Sequence, residues 1–428
     1  MSIELSRRSA LRAVGGSLGL IALRGYAVER ASTVHFTHGV ASGDPLSDRV
    51  ILWSRAVPGG GRHTDMAARW EVAIDAQFAN IVTAGVTATD KQRDYTLKVD
   101  ATGLQPNTRY FYRFINKDGV SPVGQTRTLP LGDVDSFRLG IASCSNYPQG
   151  YFNAYADMAQ TELDVVLHLG DYIYEYEEGE YADPVALKSL QRNVQPEHEI
   201  VSIEDYRMRY GLYRTDPDLQ AVHARHPFIC VWDDHELAND TWISGAENHD
   251  AQQGDFSKRA AAARQAYHEW MPIRTSPAGD QGPIFRNFAI GNLADLIMLD
   301  TRHHGRDQGL RYGSDMPLVS RTFDPATGAM VEATAEGVDA PGLMTIPVPF
   351  SMSAEGPIPI TDFAKLQIID PRALPEGWFY LPDAQAFMTK VLPDESRQLL
   401  GQDQEQWLAE QLKRSSERGA TWQILGQQ

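Results

Sequence analysis

Short runs that alternate between apolar and polar residues fill the first third of the chain, from Thr33 to about Pro130. Examples are residues 50–53, 70–74 and 95–99, with Gly, Pro and Asp residues between them. Because successive side chains of a strand point to opposite faces, this spacing predicts short strands joined by turns. The first part of the chain is therefore expected to be a β-sandwich.

One segment of this region indicates the type of sandwich. Residues 103–113, Gly-Leu-Gln-Pro-Asn-Thr-Arg-Tyr-Phe-Tyr-Arg, resemble the corner of fibronectin type III domains. In that corner a tyrosine hydrogen-bonds back across the turn. We therefore predict a fibronectin III-like N-terminal domain over residues 33–131.

The pattern changes near residue 133 to apolar strands that alternate with helical segments, which is typical of α/β layering. A second domain is expected over residues 135–428. Ser202 can cap a helix that runs toward Leu219, and Pro272 stops another. The strands are expected at 137–142, 164–169, 228–232, 293–299 and 422–425, and the other helices at 151–160, 257–270 and 402–418.

The segment from about 305 to 396 is rich in Gly, Pro and small polar residues and shows little periodicity. It is too long for an ordinary connection. We interpret it as an irregular insertion or lid within the second domain.

The net charge of the chain argues against some classes of function. The 428 residues include 39 Lys plus Arg against 56 Asp plus Glu, a formal net charge of −17. This balance argues against a protein that binds nucleic acid through the phosphate backbone. It would also repel a phosphate dianion, so a phosphate-handling site in this chain needs cations of its own.

The N-terminus carries an export pattern. Arg7 and Arg8 precede a short apolar stretch at 13–23, which is briefer than the roughly 20 residues of a bilayer span. We interpret residues 1–31 as a twin-arginine signal peptide, and a basic N-terminal helix is the alternative. Because this route commonly carries folded proteins with their cofactors, the signal also favours a metalloprotein. The expected location is the periplasm or the exterior, without a stable membrane anchor.

Polar, ligand-type residues follow three apolar strands of the α/β region, where open α/β folds place their sites. Asp171 can bridge two cations, or cap a turn. In the run at 233–236, one carboxylate can bind a metal. His235 can stabilise a phosphate oxygen or act as a general acid, unless it is an ordinary surface histidine. Asn239 offers a neutral oxygen to a hard cation, or forms an Asx turn.

Further residues of the chain keep more than one interpretation. Cys144 is a soft metal ligand that favours iron or zinc, or a free thiol, or a disulfide partner of Cys230. Cys230 itself is expected in the core. Tyr174 can turn its phenolate toward a trivalent ion, or simply pack. Arg302 can clamp a phosphate, or form a structural salt bridge.

Taken together, several motifs resemble the PhoD-like alkaline phosphatases. The resemblance runs in order from Phe36 to Gln428 and is specific only as a set. It is carried by FTHGVASGDP at 36–45 with VILW at 50–53, SCS at 143–145 with GYF at 150–152, HLGDYIYEY at 168–176, WDDHE at 232–236, and LGQDQ at 400–404 with Trp407 and Leu408.

The resemblance implies a metallophosphatase domain of the calcineurin-like, four-layer α/β sandwich type behind the fibronectin-like domain. It implies an Fe³⁺ and Ca²⁺ cluster with Cys144, Asp171 and Tyr174 on the iron side, Asp171 bridging. Asp234 and Asn239 are then assigned to calcium, and His235 faces the substrate.

The implied activity is hydrolysis of phosphate monoesters and diesters by a secreted enzyme, for phosphate acquisition. Its expected partners are small phosphoester substrates and the twin-arginine export machinery, and the expected state is a monomer. The resemblance further implies that relatives continue past Gln428 into strands that supply more ligands. The chain is accordingly expected to lack a C-terminal part, with a catalytically inactive metal- or phosphate-binding protein as the alternative function.

Overall fold

The computed structural model describes residues 34–59, 65–276, 279–311, 314–331, 342–371 and 373–428. The predicted signal peptide at 1–31 lies outside these ranges. Within them, none of the helices combines the length and apolarity that a membrane span requires.

The described residues of the N-terminal region form ten strands. They are β1 Val34–His35, β2 Val40–Gly43, β3 Arg49–Arg55, β4 Val57–Pro58, β5 Met66–Ala73, β6 Ile81–Thr89, β7 Thr96–Thr102, β8 Arg109–Asn116, β9 Gly119–Val120 and β10 Gly124–Arg127, with a 3₁₀ turn at Lys91–Arg93.

Strands and helices alternate in the region that follows. Its elements are β11 Leu139–Ala142, α1 Asn153–Gln160, β12 Val165–His168, α2 Pro184–Leu190, α3 Ile203–Tyr213, α4 Pro217–Arg225, β13 Pro227–Cys230, α5 Phe256–Trp270, β14 Arg286–Ile290 and β15 Ala294–Met298, with 3₁₀ turns at Tyr147–Gln149 and Ala251–Gln253.

The C-terminal elements complete the chain. They are β16 Ser320–Phe323, β17 Met330–Val331, β18 Met344–Pro347, β19 Pro349–Ser353, β20 Gly356–Pro359, α6 Phe363–Leu366, β21 Trp378–Tyr380, α7 Ala384–Ala386 with a π-helix at Phe387–Val391, α8 Gln402–Glu417 and β22 Trp422–Gly426.

The N-terminal strands form the predicted β-sandwich. One sheet has the order β10-β8-β5-β6, and the other contains β2, β3 and β7. Apolar side chains such as Val50, Leu97 and Phe114 are fully buried between them. The hydroxyl of Tyr110 accepts a hydrogen bond of 2.8 Å from the backbone N–H of Gln105, which confirms the tyrosine contact expected in this corner.

The two regions share one sheet, of order β11-β12-β13-β2-β3-β7. Strand β2 pairs in parallel with β13, and β3 and β7 continue antiparallel. Gly43 lies where the backbones approach closely, because an added Cβ would collide with the carbonyl oxygens of Pro272 and Phe228. The sandwich is thus joined to the α/β region by backbone hydrogen bonds, rather than by a linker alone.

The second region alternates strands and helices, which confirms the expected α/β class. Strands β11, β12 and β13 are parallel, and a second sheet of order β14-β15-β22 includes the last strand of the chain. Cys230 is fully buried in β13, which confirms its place in the core. Both cysteines are free in the described structure, so the disulfide alternative is wrong.

The single helix expected from Ser202 toward Leu219 is wrong in extent. Ser202 does form a capping box with Asp205 at the start of α3. The chain then begins a new helix, α4, because Pro217 lacks an N–H for the earlier helix and Asp216 caps the backbone N–H groups of Asp218 and Leu219.

The segment at 305–396 is more regular than its sequence indicated. It holds two three-stranded antiparallel sheets, β17-β16-β18 and β20-β19-β21. Phe323, Val348, Phe350 and Phe363 form a small core of their own. The strands were missed because each has only two to five residues and most of their side chains remain partly exposed.

One ion pair secures the junction between the regions. Asp44, fully buried at the end of β2, accepts hydrogen bonds from Arg286 Nε and Nη2 at 3.0 and 2.8 Å. Arg286 Nη2 also donates to the carbonyl of Cys230 at 2.7 Å. The arginine thereby connects β2, β13 and β14.

We expect Asp44→Asn to lower the free energy of unfolding by about 3 kcal/mol, because it leaves the Arg286 charge without its buried partner. The matched control is Asp48→Asn, since Asp48 pairs with Arg49 at 3.0 Å with both side chains exposed. Asp48→Asn should lower the free energy of unfolding by less than about 1 kcal/mol. Urea unfolding measures both, and equal effects would contradict this role for Asp44.

Candidate metal centre

The predicted site residues converge at one edge of the shared sheet. Because β11, β12 and β13 are parallel neighbours, the loops at their carboxyl ends lie side by side. Cys144 follows β11, Asp171 and Tyr174 follow β12, and Asp234, His235 and Asn239 follow β13. The convergence expected from the sequence is confirmed.

The backbone of these loops is held in unusual conformations. Asp171 and Cys144 both have left-handed backbones, with φ of 54° and 57°. Gly170 has φ of 106°, and an added Cβ would collide with the backbone nitrogen of Asp233. Such strain persists only where the surroundings impose it, and it is concentrated at functional sites.

A buried carboxyl ties two of the loops together. Glu236 accepts hydrogen bonds from the backbone N–H groups of Asp171, Tyr172 and Asp233, at 3.1, 2.6 and 2.9 Å. Burial first, and then the charge of Asp171, raises the pKa of Glu236 to about 8. Glu236 therefore fixes the spacing between the strand ends.

Asp171, Asp234 and His235 form the centre of the site. Each is buried, and one ligand-type atom from each lies within 4.8 Å of the others. Asp171 Oδ2 accepts a hydrogen bond of 3.2 Å from the Tyr174 hydroxyl, whereas Oδ1 has no hydrogen-bond partner among the described residues. A buried, unpaired carboxylate oxygen beside a second carboxylate fits a metal cation.

His235 is oriented by Glu175. Its Nδ1 lies 2.7 Å from Glu175 Oε2, and Glu175 is fully buried. Burial alone would lower the pKa of His235, but the hydrogen bond and charge of Glu175, with Asp234 and Asp171, raise it to about 9. The hydrogen bond to Glu175 orients the imidazole, and the raised pKa favours its protonated form.

The neighbouring carboxyl groups respond differently to burial. Burial and the charge of Asp234 raise the pKa of Asp171, against the influence of His235. Burial also opposes ionisation of Asp234, but His235 and Arg302 outweigh it and lower the pKa of that group. For Asp233, burial and Asp234 outweigh Arg302 and raise the pKa to about 7. Several carboxyl groups therefore compete for few positive charges.

Cys144 and Asn239 lie at the edge of this cluster. Cys144 is exposed, and its thiol accepts a hydrogen bond of 3.4 Å from Gln428. Its backbone N–H donates to the Gly170 carbonyl at 3.2 Å, which keeps it beside the Asp171 loop. Asn239 donates its backbone N–H to Glu175 at 2.7 Å and its amide nitrogen to Glu247 at 2.8 Å. Their ligand roles stay predictions.

Arg302 is occupied by carboxylates. It donates to Asp233 at 2.6 and 3.3 Å, pairs with Asp240 at 3.3 Å, and lies 3.8 Å from Asp234. The salt-bridge interpretation therefore describes its contacts, although its partners follow β13 rather than its own strand. Its role as a phosphate clamp stays a prediction.

The sequence interpretation gave no role to Glu175 or Glu236. Both stand inside the motifs at 168–176 and 232–236. For Glu175 the available signal was a carboxylate within an aromatic stretch, because a buried charge needs partners and is retained where it orients other groups. Glu236 follows two aspartates and a histidine and carried no such signal.

Comparison with known proteins identifies the family. The family model of PhoD-like phosphatases matches residues 139–428, and that of the PhoD-like phosphatase N-terminal domain matches residues 22–130. The chain belongs to the PhoD-like phosphatase family. The resemblance found in the sequence is thereby confirmed.

Two relatives of the family show the extent of the similarity. Alkaline phosphatase D of Bacillus subtilis (strain 168) is 42% identical over 295 residues, which are 67% of this chain and 50% of that protein. The chain thus spans about half the length of this curated relative. A solved structure of PhoD has a TM-score of 0.66 and 33% identity, and the match covers 93% of this chain and 63% of that chain.

We expect Glu175→Gln to lower the pKa of His235 well below 9 in the metal-free protein, because the imidazolium loses its charged partner. NMR titration of the imidazole carbon-bound protons measures this shift. Glu177→Gln removes an exposed carboxylate from the same loop and should leave the titration unchanged. An unchanged His235 pKa in Glu175→Gln would contradict the assigned role.

Proposed function

We propose that the protein is a metal-dependent hydrolase of phosphate monoesters and diesters, of the alkaline phosphatase and phosphodiesterase type. The observation that carries this proposal is the buried group of Asp171, Asp234 and His235 in a chain of the PhoD-like phosphatase family. The cluster combines cation ligands with a charged imidazole that can meet a phosphoryl oxygen.

The residues present suit a metal pair. Asp171 would bridge the two ions, with Cys144 and Tyr174 on an Fe³⁺ side and Asp234 and Asn239 on a Ca²⁺ side, as the family resemblance implies. When bound, the ions would polarise the phosphoryl oxygens and lower the pKa of water. The unpaired Oδ1 of Asp171 supports this assignment.

The chain itself would supply proton transfer and orientation. His235, held protonated by Glu175, can donate a proton to the leaving oxygen of the ester. Arg302 balances Asp233 and Asp234 and so limits the repulsion between the site and an anionic substrate.

The expected setting is the periplasm or the exterior, reached by twin-arginine export of a monomer that releases phosphate from small esters. The paired arginines near the N-terminus support this proposal. Accepting an anion is difficult for a chain with a net charge of −17, so we expect turnover to depend strictly on added cations.

The test is hydrolysis of bis(p-nitrophenyl) phosphate and p-nitrophenyl phosphate by the purified 428-residue chain, with calcium and iron supplied and a chelator control. We expect chelator-sensitive turnover that falls about 100-fold or more in Asp171→Asn, because a ligand oxygen is replaced by an amide. Asp157→Asn, a carboxylate change on the exposed side of α1, should leave the rate unchanged.

Turnover that resists the chelator, or that survives in Asp171→Asn, would contradict this mechanism. Metal binding without turnover by this chain would instead support the alternative of a metal- or phosphate-binding protein.

A further inference from the structure

Three tyrosines surround the imidazole of His235. The ring centroids of Tyr174, Tyr176 and Tyr181 lie 4.3, 5.4 and 6.4 Å from it. Tyr181 is nearly parallel to the imidazole, with an interplanar angle of 19°. His235 is only 8% exposed, whereas Tyr181 is 57% exposed. An aromatic surface open to solvent therefore stands at the rim of the site.

The backbone of Tyr181 is held by hydrogen bonds in an unfavourable conformation. Its φ of 46° lies in the left-handed region, which bulky aromatic residues rarely adopt. Its carbonyl accepts hydrogen bonds from the side chains of Asn146 and Gln149, at 2.8 and 3.0 Å. Both donors belong to the segment that follows Cys144. Core packing does not explain a strained, clamped backbone that presents an exposed ring, so a ligand contact is the better reason.

The charges around this ring restrict what it can bind. Glu177, Glu178 and Glu180 are exposed in the segment that leads to Tyr181, and they would repel a second anionic group. A planar, uncharged group avoids this repulsion and can stack on the tyrosine face, with ring centroids about 4.5–7 Å apart.

We propose that Tyr181, flanked by Tyr176, is a stacking surface for an uncharged planar group of the substrate, an aryl ring or a nucleobase. The phosphoryl group of the same ester would lie at Asp171, Asp234 and His235. This inference rests on the proposed function and names its substrate class: phosphoesters that carry a planar group bind better than their alkyl counterparts.

The test compares two ligands that differ only in this group. Phenylphosphonate and methylphosphonate carry the same phosphonate, and their carbon–phosphorus bond resists ester hydrolysis. Calorimetric titration of the full chain, loaded with calcium and iron, gives the two dissociation constants. We expect the wild-type protein to bind phenylphosphonate about tenfold more tightly.

Three variants isolate the ring of Tyr181. Tyr181→Asn removes it while keeping a residue that tolerates a left-handed backbone. In this variant the ratio of the methylphosphonate dissociation constant to the phenylphosphonate dissociation constant should fall close to one. The affinity for methylphosphonate should be unchanged. Tyr181→Phe should keep the preference. Tyr151→Asn is the matched control, because Tyr151 is equally exposed at 57% and its ring lies 5.6 Å from the Arg192 guanidinium instead.

A preference for phenylphosphonate that persists in Tyr181→Asn would overturn the inference. An equal loss of affinity for both phosphonates in this variant would also overturn it, because that result indicates a structural role for Tyr181. Equal wild-type affinities would overturn the stacking surface and leave the proposed function standing. Failure of the wild-type chain to bind either phosphonate would overturn both. Thermal unfolding followed by circular dichroism confirms that each variant is folded.

Discussion

The arrangement of the site depends on one buried carboxyl, Glu236. It receives three backbone N–H groups from two loops that leave neighbouring parallel strands, so it sets the distance between Asp171 and Asp234. Intramolecular hydrogen bonds contribute about 0.5–1.5 kcal/mol each. Together they can offset the strain of the left-handed backbone at Asp171. The functional residues lie on these loops, and the loops are anchored at the ends of the rigid sheet.

The hydrogen bonds to Glu236 also bring several buried carboxyl groups close together, where their negative charges repel one another. Within the described site, Asp171, Glu175, Asp233, Asp234 and Glu236 are buried together, and His235 and Arg302 form ion pairs with three of them. Burial raises the pKa of several of these carboxyl groups, which shows that ionising them all is costly. A bound cation would remove this penalty. Stability and cation binding are therefore expected to be linked.

Sequence patterns predicted much of this arrangement. The strands before Asp171 and Asp234 were found because buried parallel strands are continuous apolar runs. The strand before Cys144 was found from its apolar run although it is only partly buried, with Ile141 65% exposed. Parallel neighbours bring their carboxyl ends together. Glu175 and Glu236 were missed, because their partners are a distant side chain and backbone N–H groups that only folding brings near. The strands at 305–396 were missed because their faces are half exposed. The joining of β2 to β13 has no local signal, since it rests on contacts between residues nearly 200 positions apart.

Metal binding by the three strand ends can be measured by elemental analysis of the purified chain after it is loaded with calcium and iron and dialysed. We expect the wild-type protein and Asp157→Asn to retain metal in a fixed ratio to protein, and Asp171→Asn to lose it. Wild-type protein that retains no metal, or an Asp171→Asn variant that retains as much as the wild type, would contradict the assignment of the metal centre.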